Sequence, residues 1–250
     1  MDLWDVMGLK QSQILACTGA GGKTSLIQSL GECAMQRKLP LLITTTTKMF
    51  YHQVEHYNSI FTNSFAEASQ QINIPSKKPI ALFMKKQDDK LVGIPPEWID
   101  SFAKDYLNPT ILIEADGAAE RLIKAPASHE PVIPYCTTVT VGVLNLHSIG
   151  CPLVASVAHR LSLLLGLLNK QEGQEIQCLD LVILATHPQG IFQHSRGRKV
   201  LLLTGTDKVG SGHIIKSIIQ RLRSGGSDID YCVTTVGWGS VMRPLEVYTI

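Results

Sequence analysis

The residues best suited to chemistry in this 250-residue sequence lie in the segment 14–25, which reads ILACTGAGGKTS. An apolar run is followed by glycines and then by Lys-Thr-Ser, which opens an amphipathic segment. This order predicts a strand, a tight loop and the start of a helix. Glycines let such a loop curl, so that backbone N–H groups and the helix N-terminus face one anion. The segment therefore predicts a phosphate-binding loop.

The loop departs from the common G-x-x-x-x-G-K-[ST] spacing, because Cys17 stands where that pattern has its first glycine. It is closer to K-G-G-x-G-K-T, although Thr18 replaces the leading lysine. Lys23 is expected to reach the β- and γ-phosphates, and the Thr24 hydroxyl to bind Mg²⁺. The alternative is a purely structural turn. The loop residues predicted to bind a nucleotide, ATP or GTP, are Gly19, Ala20, Gly21, Gly22, Lys23, Thr24 and Ser25.

Two carboxylates end the apolar segment 110–116, TILIEAD, which predicts a buried strand. Buried carboxylates are costly unless a cation or hydrogen-bond donors compensate them. In a phosphate-loop enzyme that cation is Mg²⁺, so Glu114 and Asp116 are predicted as metal ligands and, with Lys23, as catalytic residues. Gly117 is expected at the γ-phosphate. The alternative, in which Asp116 caps a helix, explains only one of the two acids.

A run of threonines follows the next predicted strand, 41–43, and continues into Lys48. The carboxyl ends of parallel strands are where ligands bind in doubly wound sheets. Thr46, Thr47 and Lys48 are therefore predicted to contact the nucleotide, and the run 44–47 is a candidate switch segment together with Gly117. The alternative is a plain continuation of the strand, which β-branched residues favour.

Strands alternate with helices along the chain, which predicts one α/β domain over residues 1–250 with a mostly parallel sheet in three layers. The irregular segment 51–105 is predicted as an insertion between two sheet strands. A helix is expected over 154–168 and a strand over 179–185. The strand 231–236 is expected to close the sheet, before an irregular tail that begins Gly-Trp-Gly.

Composition limits the classes of function. A net charge of +2 with dispersed Lys and Arg excludes an extended electropositive face for nucleic acid. The six cysteines form no C-x-x-C pair, which indicates isolated thiols in a reducing compartment. No apolar run reaches membrane-spanning length and the N-terminus is unlike a signal peptide, so a cytoplasmic protein without a membrane segment is expected. The H-x-x-E-H pattern at 52–56 lacks a third ligand and is taken as chance.

A proline-rich loop follows the acidic strand. Three prolines within nine residues exclude a regular helix over 126–134 and predict an extended connection. Lys124, His129 and Glu130 make this loop a candidate substrate or partner site; the alternative is a surface connector.

Four segments in this order and spacing resemble the selenium-dependent hydroxylase accessory proteins of the YqeC type: GAGGKTS (19–25), TTTTKMF (44–50), EADGA (114–118) and KAPASHEPVIP (124–134). The resemblance extends to His159-Arg160 and to the region of Asp207. It implies a P-loop NTPase fold and a role in maturing selenium-dependent molybdenum hydroxylases, with such a hydroxylase or its maturation factors as partner. Family members carry an N-K-x-D-like guanine reader; here the stretch 204–207 keeps only Asp207, so both ATP and GTP stay open.

These observations together predict a P-loop nucleoside triphosphatase that couples nucleotide state to cofactor or selenium insertion. Two alternatives use the same loop. A small-molecule kinase would transfer the phosphoryl group to an acceptor near Lys124, His129 and Glu130. A nucleotide-gated binding module would bind without turnover.

Overall fold

The computed structural model describes residues 2–10, 13–72, 78–104, 110–208, 210–237 and 241–250. Its helices are α1 (Leu3–Val6), α2 (Lys23–Arg37), α3 (Phe65–Ile72), α4 (Pro96–Phe102), α5 (Leu161–Leu168), α6 (Cys178–Thr186) and α7 (Ser211–Ser224). Its strands are β1 (Ile14–Gly19), β2 (Leu41–Thr45), β3 (Lys48–Phe50), β4 (Asn58–Phe61), β5 (Ile80–Phe83), β6 (Lys85–Gln87), β7 (Lys90–Val92), β8 (Thr110–Glu114), β9 (Ile123–Lys124), β10 (Val139–Asn145), β11 (Ala158–His159), β12 (Arg198–Thr204), β13 (Tyr231–Val236) and β14 (Arg243–Thr249).

In the described part of the chain, a nine-stranded sheet has the order β14-β13-β12-β10-β1-β8-β2-β5-β4. All neighbours in it are parallel except β13 and β14. Parallel strands bury both faces, and β1, β8 and β10 are buried at every position. The strand β1, which leads into the glycine-rich loop, lies between β8 and β10. The carboxyl ends of all three therefore meet at one edge of the sheet.

Helices cover the sheet on both faces. Leu15 and Cys17 of β1 face the apolar cluster that contains α1 and α2, whereas Ile14 and Ala16 face the one with α3 and α4. Residues of β12 alternate in the same way. Val200 and Leu202 face the cluster with α1 and α2, whereas Leu201 and Leu203 pack against α5, α6 and α7. Because successive side chains of a strand point to opposite faces, the described residues form one apolar cluster on the α1 and α2 face of the sheet and two on the other face. The predicted three-layer α/β fold with a mostly parallel sheet is confirmed.

Two element predictions are wrong. The helix expected over 154–168 begins only at Leu161, because Ala158–His159 pair with β9 and Arg160 has a left-handed φ of 57°. The strand expected over 179–185 is instead the helix α6. Short apolar runs do not distinguish a buried strand from a buried helix. In this segment Asp180 favours the helix, because its carboxylate accepts the Gln177 N–H at 2.7 Å and caps the helix start.

The ends of the sheet also differ from expectation. The strand β13 does not close the sheet, because β14 pairs with it in antiparallel register as the edge strand. Trp238 and Gly239 of the predicted tail lie outside the described residues. The segment 51–105 adds β4 and β5 to the opposite edge, while β6 and β7 join β3 in a small antiparallel sheet. None of the described helices is long and apolar enough to cross a membrane. The single domain stays a prediction.

Candidate phosphate-binding site

The loop between β1 and α2 requires glycine for two separate reasons. Gly19 and Gly21 have φ values of 88° and 74°, which L side chains rarely adopt. A Cβ on Gly19 would lie 2.3 Å from the Val143 carbonyl oxygen, and one on Gly21 would lie 2.5 Å from Cβ of Asn145. Any side chain at either position would strain the backbone and clash with β10. The curled loop is therefore a consequence of its glycines and of close approach to the neighbouring strand.

Neutral donors hold the loop from the β10 and β12 side. The Gly21 carbonyl accepts from Asn145 Nδ2 at 3.0 Å and from the Thr204 hydroxyl at 2.7 Å. The Ala20 N–H donates to the Val143 carbonyl at 3.1 Å. These hydrogen bonds turn the Gly21 carbonyl towards β10 and β12 and fix the loop against the neighbouring strand.

Lys23 opens α2 and is only 4% exposed. Its Nζ donates to the Gly19 carbonyl at 2.6 Å and lies 3.0 Å from Asp116 Oδ1 and 4.0 Å from Glu114 Oε1. Burial favours a lower pKa for Lys23, but the two carboxylates outweigh it and the pKa is raised. The ammonium therefore stays charged beside the loop, where it can attract a phosphate.

Glu114 and Thr24 form the part of the site that suits a divalent cation. The Thr24 hydroxyl donates to Glu114 Oε2 at 3.2 Å. Burial raises the pKa of Glu114, with Lys23 opposing it. A hydroxyl and a carboxylate oxygen are ligands that Mg²⁺ favours, with waters and phosphates completing its shell. Within the described residues no group of three or more His, Cys, Asp or Glu side chains could hold a metal alone, including His52 and His56. The donor set thus fits Mg²⁺ bound together with a phosphate.

Asp116 has a different environment, although it follows Glu114 by only two residues. Its Oδ2 accepts the Gly19 N–H at 3.1 Å and lies 3.0 Å from Lys124 Nζ, while Oδ1 faces Lys23. Both carboxylate oxygens therefore face buried cations. Asp116 ties the loop to Lys124, whereas Glu114 faces the helix start at Thr24.

Lys124 extends this arrangement into a series of ion pairs that ends at a partly exposed arginine. It is 1% exposed, and its Nζ donates to the Gly117 carbonyl at 2.7 Å and to Glu130 Oε2 at 3.2 Å. Arg160 Nη2 in turn donates to Glu130 Oε1 at 2.5 Å. Burial favours a higher pKa for Glu130, but Lys124 and Arg160 outweigh it and the pKa is lowered. We refer to Asp116, Lys124, Glu130 and Arg160 as the charge chain.

A cleft of about 840 Å³ lies over the loop. Its lining includes predicted residues from several elements: Gly21, Gly22, Lys23, Thr24, Ser25, Thr47, Lys48, Glu114 and Gly117. Thr46 is turned to Val132, whose carbonyl accepts its hydroxyl at 2.6 Å. Among the described residues, Gly205 lines the cleft but Asp207 does not, and Asp207 Oδ1 lies 3.0 Å from His147 Nε2.

The proline-rich loop contributes two of its three predicted polar residues to the site. Lys124 and Glu130 are buried in the charge chain, whereas His129 is exposed. Sequence reasoning missed the role of Asn145, although it ends an apolar strand at the edge of the sheet where ligands bind. It also missed Phe50 and Lys90, which line the cleft from the small antiparallel sheet. Phe50 ends the family-like segment 44–50, which could have indicated it, whereas no sequence signal indicated Lys90.

Comparison with known proteins places the chain in a family. The structure of chloroplast FtsY from Physcomitrella patens overlaps it with a TM-score of 0.48 at 13% identity, covering 96% of this chain and 64% of that chain. This chain thus spans less than two thirds of the FtsY chain. The uncharacterized protein YqeC of Escherichia coli (strain K12) is 32% identical over 193 residues, which are 76% of this chain and 74% of that protein. The profile of the YqeC protein family matches residues 15–162, so the chain belongs to the YqeC family.

Proposed function

We propose that this protein binds a nucleoside triphosphate with Mg²⁺ at the glycine-rich loop and hydrolyses it. The observation that carries the proposal is the Thr24–Glu114 pair, placed beside the charged ammonium of Lys23 where α2 begins. Anion donors and a divalent-cation ligand set therefore meet at the floor of one cleft.

Each predicted residue has a role in this proposal. The backbone of 19–22 cradles the phosphates, and Lys23 exchanges Asp116 for the β- and γ-phosphates. Thr24 and Glu114 hold Mg²⁺, which neutralises phosphate charge when bound. Asp116 supports the loop and Lys23, and we propose that it also contributes to the metal site and positions the metal's waters or the attacking water. Ser25, the segment 46–48, Gly117 and Asp207 remain proposed nucleotide contacts.

We place this activity in the cytoplasmic maturation of selenium-dependent molybdenum hydroxylases, as the family resemblance implies. The partner would be such a hydroxylase or one of its maturation factors. A nucleotide-dependent change in the segments 44–47 and 117 would couple triphosphate state to that partner. ATP and GTP are both proposed, because Asp207 alone survives from the guanine-reading element.

A small-molecule kinase is the second candidate. The cleft continues beyond the loop to Lys48, Phe50 and Lys90 on the small antiparallel sheet. That extension provides a cationic and aromatic wall for an acceptor, which a hydrolase acting on water does not need. Release of inorganic phosphate without any phosphorylated acceptor identifies a hydrolase, and transfer to an acceptor identifies a kinase.

Calorimetric titration with ATP and GTP, each with and without Mg²⁺, tests the proposal. We expect Mg²⁺-dependent binding that weakens about 100-fold or more in Lys23→Ala, since charge-assisted contacts to phosphate are lost. Lys216→Ala is the matched control, because it removes an exposed lysine from α7. Failure of the natural protein to bind either nucleotide would overturn the proposal, and equal loss in both variants would exclude a specific role for Lys23.

A further inference from the structure

Arg160 lines the cleft from a position that the phosphate-loop motif does not contain. It directly follows β11, whose His159 is paired in register with Lys124 of β9. It also forms the N-cap of α5, with a left-handed φ of 57° that is uncommon for a residue with a side chain. Such conformations are strained for a residue with a side chain and cluster at functional sites. The fold therefore places this guanidinium in the cleft at a conformational cost.

The end of the cleft that holds Arg160 is the end where a γ-phosphate would lie. Strands β10 and β8 flank β1 on opposite sides. The neutral contacts to Gly21 come from the β10 and β12 side, whereas Thr24 and Glu114 meet on the β8 side. A Mg²⁺ ion held by Thr24 and Glu114 would neutralise charge on the terminal phosphates, so we place the γ-phosphate on the β8 side. The chain continues from β8 into β9, which pairs with β11 next to Arg160.

The Arg160 guanidinium has hydrogen-bond donors that the described residues do not use. The guanidinium has five N–H donors, and one of those on Nη2 donates to Glu130. Within the part of the chain that the structure describes, its Nε is buried and has no hydrogen-bond partner. The side chain is 31% exposed, so it is neither sealed in the core nor free in solvent. Glu130 thus fixes Nη2, whereas Nη1 donates to none of the described residues and is left for a ligand.

The charge chain connects Arg160 to the phosphate loop. Successive ion pairs of 3.0, 3.2 and 2.5 Å link Asp116 to Lys124, Lys124 to Glu130, and Glu130 to Arg160. Asp116 also pairs with Lys23 at 3.0 Å. When Lys23 turns to the phosphates, Asp116 keeps Lys124 as its counter-ion, so the position of Glu130 and Arg160 is maintained.

We propose that Arg160 is the residue that distinguishes a bound triphosphate from a diphosphate. Its free donors contact the γ-phosphate oxygens, and Glu130 and Lys124 are positioning residues that hold the guanidinium for that contact. The inference rests on the proposed nucleotide binding at the same loop. Arginine suits this role because its planar fork binds phosphate oxygens through two parallel hydrogen bonds, which lysine cannot reproduce.

The test compares the dissociation constants of Mg²⁺-ADP and of the Mg²⁺ complex of a β,γ-imido triphosphate, each measured for the natural protein and for Arg160→Gln. If GTP is the preferred ligand, the guanine analogues are used. We expect Arg160→Gln to weaken triphosphate binding about 10- to 100-fold, because charged hydrogen bonds to the γ-phosphate are lost. Diphosphate binding should stay within about twofold, because the diphosphate lacks the contacted group.

Three further variants separate recognition from structure. Arg121→Gln removes an exposed guanidinium from the same cleft and should change both dissociation constants by the same factor. Glu130→Gln should weaken triphosphate binding less than Arg160→Gln does, because Arg160 loses its positioning but keeps its charge. Arg160→Lys keeps the positive charge but loses the planar fork of donors. It should keep only part of the preference for triphosphate over diphosphate that the natural protein shows. This variant serves as the test if Arg160→Gln does not fold.

The outcomes are distinct. Equal loss of diphosphate and triphosphate affinity in the Arg160 variants, or an unchanged ratio of the two, would overturn the role of Arg160. Absence of binding of both ligands by the natural protein would instead overturn the proposed function from which this inference starts.

Discussion

The two sides of the phosphate loop are built from different interactions. On the β10 and β12 side, the Asn145 amide and the Thr204 hydroxyl hold the Gly21 carbonyl. On the β8 side, Asp116 lies between two buried lysines. Neutral hydrogen bonds depend little on the charge of a ligand, whereas a bound polyanion attracts Lys23 and competes with its ion pair to Asp116. The comparison suggests that one side maintains the shape of the loop and the other responds to its ligand.

The largest effect should follow removal of Lys124, the central cation of the charged side. Lys124→Met leaves Glu130 and Asp116 each short of a buried partner, and breaking a buried pair costs about 3–5 kcal/mol. We expect the free energy of unfolding in urea to fall by that amount. Lys216→Met, an exposed change on α7, is the control and should be nearly neutral. A loss below about 1 kcal/mol in Lys124→Met would show that the charged side is structurally dispensable.

A pH dependence should come from Glu114 on the same side. Burial raises the pKa of Glu114, and Mg²⁺ competes with the proton for its carboxylate. Apparent Mg²⁺ affinity should therefore be full at higher pH and be lost as the pH falls through this raised pKa, above the usual value of about 4.3. Lys23 does not add to this pH dependence, because its pKa is also raised and the ammonium stays charged over the same range.

The measurement is a Mg²⁺ titration at saturating nucleotide between about pH 8 and about pH 5, compared with Glu114→Gln. Glutamine cannot take up the proton, so the difference between the two proteins isolates Glu114 from the titration of the nucleotide itself. Parallel pH profiles for the two proteins would contradict the assignment of Glu114 as the metal ligand.

The smallest effect should come from the neutral side. Thr204→Val removes one hydrogen bond to the Gly21 carbonyl, while Asn145 keeps the other. We expect the free energy of nucleotide binding to weaken by about 1 kcal/mol, which is roughly fivefold in affinity. Thr140→Val is the matched control. The Thr140 hydroxyl donates to the Arg196 carbonyl at 2.7 Å near the amino end of β10, away from the loop. If Thr204→Val weakened binding as much as Lys23→Ala, the contrast between the two sides would fail.

The sequence predictions fail for two reasons, a long-range strand pairing in one element and an ambiguous apolar run in another. The strand and helix around the loop were predictable because an apolar run, glycines and Lys-Thr follow one another directly. The start of α5 was not, because the pairing of Ala158–His159 with β9 joins residues more than thirty positions apart in the chain. The apolar run that forms α6 had the composition of a strand, and a local cap at Asp180 made it a helix.

By itself the sequence determined the parallel α/β architecture, the glycine-rich loop and the presence of two acids at the tip of β8. These depend on local periodicity and on residues that are adjacent in the chain. Only the tertiary structure decided that Glu114 faces Thr24 while Asp116 lies between Lys23 and Lys124. It also placed Arg160, paired with Glu130, in the same cleft as the loop. The physical reason is that charge pairing depends on distance in space, which is set by strand order and by the parallel pairing of β9 with β11.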